Sequence, residues 1–176
     1  MRTEYDVIRS LTRYVAAALG YEVREVREEG VVTRPGAVIE MASPVAREGA
    51  SPRISELNAT YDVYVYPPLG EQPLHSREIA ARISERLEQA LDGGVDEGRP
   101  GLIPLWDFEG VPYDADSSVR RPQDFARVLD LSVWPKQAPD DEKRFSVVAE
   151  VRLGWRRDRA LVSNSRTTRS LRMSFQ

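Results

Sequence analysis

Apolar residues recur at two different periods along the chain, and these periods predict where helices and strands lie. The clearest helical stripe consists of Ile79, Ile83, Leu87 and Leu91. Its spacing of four predicts an amphipathic helix that begins at Ser76, a suitable N-cap residue, and ends at the glycine pair 93–94. A second apolar face over residues 5–19 predicts another helix, which Gly20 is placed to end. The charged side of the helix that begins at Ser76 is expected to face water, while its apolar stripe covers a sheet.

Alternation of apolar and polar residues predicts the strands. The alternating runs are residues 37–41, 60–66, 128–134 and 145–155. The last run has the most regular pattern, with apolar residues at every second position. Within the third run, the alternation places Leu129, Leu131 and Val133 on one face and Trp134 on the other. Residues 21–28 alternate less regularly and are expected to form an exposed edge strand.

The segments between these elements are expected to be loops. Residues 42–58 contain Ser-Pro pairs and charges without an apolar period, which predicts a long loop projecting from the tip of a hairpin. Residues 102–108 form a short apolar run that could begin as a strand and then turn. The order of elements is then α-β-β-β-α-β-β. This order predicts the α+β class, a mostly antiparallel sheet with two helices packed on it.

Composition places the chain among soluble globular proteins. It has 176 residues, 41% hydrophobic and 30% charged, which suits one domain with a sizeable core. We expect residues 1–157 to form that domain and residues 158–176 to form a basic C-terminal tail. The absence of cysteine excludes disulfides and thiolate metal sites. No apolar run approaches the roughly 20 residues of a membrane span, so no membrane partner is expected.

Charge is distributed unevenly along the chain. Residues 156–176 carry six arginines and one acid, so the formal net charge of −3 leaves −8 on the remainder. An acidic body argues against a general nucleic-acid binder, whose affinity depends on neutralising phosphates. The basic tail is interpreted either as a solvated terminus or as a segment that meets an acidic partner or nucleic acid.

Motifs for catalysis or cofactor binding are lacking. His75 is the single histidine and has no cysteine partner, so a catalytic role would need acids such as Asp107 or Glu109 beside it. The run from Asp114 begins like a calcium loop but lacks the glycine and glutamate that such a loop needs. Phosphate-binding glycine motifs and the Gly-x-Ser-x-Gly motif are absent. We therefore predict no catalytic residue, no metal and no cofactor, and interpret the chain as an interaction protein.

Four stretches, in order, resemble a known family. They are RPGAVIE at 34–40, YDVYVY at 61–66 before a long helix, IPLWDFEGVP at 103–112, and VVAEVRLGWRR at 147–157. These stretches resemble the core strands, the proline-and-aromatic segment and the last strand of tail terminator proteins, also called minor tail or tail-completion proteins. Those proteins belong to long-tailed bacteriophages, and the likeness is greatest to the proteins of phages that infect actinobacteria.

The resemblance implies a non-enzymatic structural protein of the virion, located at the neck of the tail. Such proteins form homo-oligomeric rings, usually of six copies, on the head-proximal end of the tail tube. The ring stops tube polymerisation and meets the connector or head-completion protein, and DNA passes through its lumen. On this interpretation the partner-contact residues are Trp106, Phe108, Trp134, Arg156 and Arg157. Core packing for Trp106 and Phe108, and simple solvation for the arginines, remain open alternatives.

Three other functions remain open at this stage. One is a different neck or connector protein with a similar fold. Another is a small cytosolic ligand-binding or enzymatic domain that uses residues 95–125 as a lid. The third is a nucleic-acid-associated protein that uses the basic tail.

Overall fold

Two helices and seven strands make up the described part of the chain. The computed structural model describes residues 4–25, 34–50, 54–92, 101–106 and 124–158. The helices are α1 (Glu4–Leu19) and α2 (Pro73–Asp92). The strands are β1 (Val23–Glu25), β2 (Gly36–Met41), β3 (Ala46–Ala50), β4 (Ile54–Tyr66), β5 (Leu102–Leu105), β6 (Asp124–Ala138) and β7 (Asp141–Asp158). The α+β class is confirmed, with β3 and β5 added to the predicted order.

The seven strands form one sheet. The order across it is β1-β2-β4-β7-β6-β5, and β3 pairs with β4 on the side that β2 also occupies. All pairings are antiparallel except that of β1 with β2. Strands β2 and β3 therefore lie end to end along β4, and together they make one side of a long ribbon.

Both helices cover the same face of the sheet. The buried side chains on that face include Ile39, Tyr61, Val63, Val151, Leu153 and Trp155, which pack with Leu11, Val15, Ile83, Leu87 and Leu91 of the helices. The predicted stripe of α2 is thus confirmed as its buried face. The hydroxyl of Tyr14 on α1 donates a hydrogen bond of 2.6 Å to the carbonyl of Ala90, which ties α1 to the last turn of α2.

The predicted loop over residues 42–58 is largely strand. The sheet pairing is interrupted near Ser43, whose hydroxyl accepts the Thr60 amide at 2.9 Å, and it resumes in β3. A bulge follows between Glu48 and Ala50. Backbone hydrogen bonds to β4 build this ribbon without an apolar period in its outer strand, and for that reason the side-chain pattern alone predicted a loop.

The helix ends show one wrong prediction and one confirmed prediction. Helix α2 begins at Pro73. An N–H at the first position of a helix has no partner within the helix, so a proline there costs no hydrogen bond. Ser76 is therefore inside the helix rather than at its cap, and its buried hydroxyl accepts the Gly70 amide at 2.9 Å. Gly20 ends α1 as predicted, with a φ of 70° and an amide that bonds the Ala16 carbonyl at 2.8 Å.

Strand β6 contains a bulge that changes the direction of one side chain. Its register against β7 shifts at Leu129, so Leu131 and Val133 face the helices while Leu129 lies over Gly154 on the opposite face. The expectation that all three share a face is therefore wrong for Leu129. Trp134 is on the face opposite Leu131 and Val133, as predicted.

We expect Leu87→Ala to lower the free energy of unfolding by about 2–5 kcal/mol, because it leaves a cavity beneath α2 where Leu87 is fully buried. Leu74→Ala is the matched control, since the same truncation on the same helix removes a side chain that is 67% exposed. It should change the free energy by less than about 0.5 kcal/mol. Chemical denaturation of both variants gives the comparison, and equal losses would contradict the packing described above.

Candidate interaction surface

One face of the sheet has no helix packed on it in the described part of the chain. We call it the open face. The large apolar side chains that are at least a third exposed gather on it more than elsewhere. Those on the open face are Leu102, Phe125, Leu129 and Trp134. Exposed apolar area concentrated on one face is typical of a surface that meets a partner.

A cleft of about 330 Å³ lies at one end of the open face. It is lined by Glu56, Leu57, Asn58, Leu102, Phe125, Arg127, Leu129, Gly154, Trp155 and Arg156. A Cβ atom at Gly154 would lie 2.9 Å from Cδ1 of Leu129, so the glycine permits Leu129 to close over β7. The bulge that turned Leu129 outward therefore supplies part of an apolar cleft wall.

A row of carboxylates crosses the middle of the open face. Glu40 pairs in register with Asp62, and Asp62 pairs in register with Glu150. We call these three residues the carboxylate row. Like charges on directly opposite strand positions repel each other. Within the described residues none of the three forms an ion pair. Arg152, two residues from Glu150, donates a hydrogen bond to Asn58 Oδ1 at 3.3 Å.

A row of apolar and aromatic side chains lies next to the carboxylate row, at a distance of two residues along each strand. It consists of Val38, Tyr64, Val148 and Trp134, and we call it the aromatic row. Val148 is buried within it, whereas Trp134 is 42% exposed. The Tyr64 hydroxyl lies 3.3 Å from Asp62 Oδ2. Partial burial and the nearby carboxylates of Asp62 and Glu40 raise the pKa of Tyr64 to about 12.

The predicted contact residues are distributed over both layers. Trp134 and Arg156 lie on the open face, and Arg156 forms an exposed ion pair of 3.4 Å with Glu56 beside the cleft. Arg157 is within β7, where its backbone pairs with Ser55. Trp134 pairs with Val148, and Arg127 beside the cleft pairs with Gly154, six residues further along β7. The aromatic row and the cleft are therefore on the order of 20 Å apart.

Trp106 follows β5 and is tied to helix α1. Its amide donates to the Ser10 hydroxyl at 3.0 Å, and the Arg13 guanidinium lies 5.0 Å from the centre of its ring. The side chain is half-buried, so it both packs on the domain and reaches the surface. Phe108, the neighbouring predicted contact, lies outside the described residues.

The candidate catalytic residues lie only partly within the described segments. His75 is exposed in the first turn of α2, and the acids considered with it, Asp107 and Glu109, lie outside those segments. Across residues 4–25, 34–50, 54–92, 101–106 and 124–158, no group of three histidine or acidic side chains is arranged to hold a metal ion. Over the same segments no helix has the length and apolar character to cross a membrane.

The predicted contact residues Trp134 and Arg156 lie on the open face, but sequence reasoning missed the cleft and the carboxylate row. Alternation did indicate that Glu150 lies opposite the core residues of its strand. What it could not supply was the strand register, which places Glu150 directly beside Asp62 and Glu40. Comparison with protein-family models and with curated proteins finds no match for this chain.

We expect Tyr64 to titrate near pH 12 in the folded protein and near pH 10 when unfolded. Since the folded state keeps the phenol proton longer, this group's stabilisation is complete below pH 10 and is lost as the pH rises towards 12. The Tyr64→Phe variant should lack this part of the alkaline loss, and Asp62→Asn should lower the pKa of Tyr64. Tyrosinate absorbance measured against pH, with the Tyr64→Phe curve subtracted, tests this. A Tyr64 titration near pH 10 in the folded protein would refute it.

Proposed function

We propose that the protein is a non-enzymatic assembly component of the tail terminator kind. In this role it forms a ring that caps the head-proximal end of a phage tail tube, ends tube polymerisation and joins the tail to the head. Support comes from the four resembling stretches in their order and from the α+β arrangement in which they occur. The tube protein and a head-completion or connector protein are its expected partners.

The observation that carries the proposal is the open face. A two-layer domain normally buries the apolar surface of its sheet, yet here Phe125 and Leu129 are each more than 40% exposed on the uncovered side. An assembly protein can bury such a surface against neighbouring subunits or the tube.

A closed ring needs two different surfaces on each subunit, because each copy contacts its neighbours head to tail. The cleft with Arg156 lies on the open face, and Trp106 lies beside α1 in the helix layer. The two surfaces are therefore on opposite layers of the domain. We propose that one of them meets the preceding copy and that the other meets the following copy or the tube.

The test combines the protein with a candidate tail tube protein from the same genome. Native mass spectrometry measures the number of copies, and electron microscopy measures tube length as the protein is added during polymerisation. Rings at the tube end and shorter tubes are expected. Unchanged tube length with no binding to tube ends would overturn the tail terminator function. A protein that binds the connector but not the tube would be a different neck protein.

We expect Phe125→Asp to weaken subunit or tube binding about ten-fold or more, because it places a charge in the apolar wall of the cleft. Leu74→Asp is the matched control, since Leu74 is more exposed but lies on α2 rather than on the open face. Both variants should keep the circular dichroism spectrum of the wild type. Equal assembly by Phe125→Asp and wild type would remove the cleft from the interface.

A further inference from the structure

We propose that the C-terminal segment, residues 166–176, docks on the open face of its own chain. It would lie over the carboxylate row and the aromatic row, with Arg169 on the first and Leu171 on the second. This inference does not depend on the tail terminator function. It assigns a binding partner to an acidic and aromatic surface that the fold leaves uncovered in its described part.

The receiving surface combines repulsion with exposed apolar area. Glu40, Asp62 and Glu150 lie side by side on three neighbouring strands, and none has an ion-pair partner among the described residues. Trp134 in the next row is 42% exposed, and Val148 lies between it and Tyr64. A segment that brings positive charge to the first row and apolar groups to the second would relieve the repulsion and bury the ring.

The C-terminal sequence carries these two features in the required order. Residues 159–176 contain four arginines and no acid. Positions 169, 171, 173 and 175 are Arg, Leu, Met and Phe, and they alternate with Ser170, Arg172 and Ser174. In an extended chain, alternate residues face the same side, so Arg169 would precede three apolar side chains on one face of the segment.

The spacing of the segment matches the spacing of the two rows. The carboxylate row and the aromatic row are two residues apart along each strand, as are Arg169 and Leu171. A chain that turns back after Asp158 reaches the carboxylate row before the aromatic row, because β7 runs from Val148 through Glu150 to Asp158. Arginine would therefore arrive at the carboxylates and leucine at the aromatic side chains.

The connection is long enough for docking within one chain. Eight residues of β7 separate Asp158 from Glu150, a distance on the order of 27 Å. Ten residues, 159–168, connect Asp158 to Arg169 and can span up to about 33 Å. A tethered segment of this length also has an effective concentration in the millimolar range, which favours it over a free basic partner of similar affinity.

Trypsin cleavage after Arg172 in the full-length protein tests the proposal. Mass spectrometry follows the rate at low and high salt. Docking should slow cleavage, and Glu150→Lys should raise the rate about ten-fold because it repels Arg169. Glu85→Lys is the matched control, since it makes the same charge change at an exposed position on α2 and should leave the rate unchanged. Trp134→Ala and 1 M salt should each raise the rate as Glu150→Lys does.

A charge swap makes the test independent of any folding defect. The double variant Glu150→Lys with Arg169→Glu should restore slow cleavage after Arg172, because the pair attracts again with its signs exchanged. Asp62→Asn provides a second way to weaken the row without reversing a charge. The proposal is overturned if wild type, Glu150→Lys and Trp134→Ala are cleaved at one rate. Protection that rises with protein concentration would also overturn it, since the segment would then bind another copy.

Discussion

The pairing of β4 with β7 is the constraint on which the rest of the structure depends. The two central strands stay in register over twelve residue pairs, from Ile54 with Asp158 to Val65 with Val147. Since side chains alternate across a strand, this one register decides which residues face the helices and which face away. Slippage by a single residue would exchange Tyr61 and Asp62 between the core and the open face. The packing of both helices and the composition of the open face therefore follow from the same pairing.

The sequence was informative where burial imposes a period on one segment and uninformative where partners decide the structure. The stripe of α2 and the alternation of β7 were found because each buries one side against the core. Strand β3 was missed because its backbone bonds to β4 hold it in place without an apolar face. Leu129 was assigned to the wrong face because its bulge exists only relative to β7.

The features of the candidate site also differ in whether the pattern of one segment could predict them. Trp134 could be assigned to an outward face from alternation in its own strand. The carboxylate row could not be predicted, because it joins residues of three strands whose mutual register no local pattern contains. Trp106 shows the intermediate case, since its aromatic character suggested a contact but its bond to Ser10 and its place under Arg13 depend on tertiary structure. Together these features place Trp106 in the helix layer and Trp134 on the face of the sheet that no described helix covers.

The bulge at Leu129 has a consequence for how such a surface can arise. One additional residue in β6 moves a leucine from the core pattern to the wall of a cleft, while Leu131 and Val133 keep their places against the helices. An apolar cleft wall can thus arise from one extra residue in a strand while most of the core stays intact. The cost to stability is confined to one rung of the ladder, and the new side chain arrives already supported by a rigid sheet. A strand such as β6, which lies between β7 and β5, can for this reason change its outward surface while its core residues stay in place.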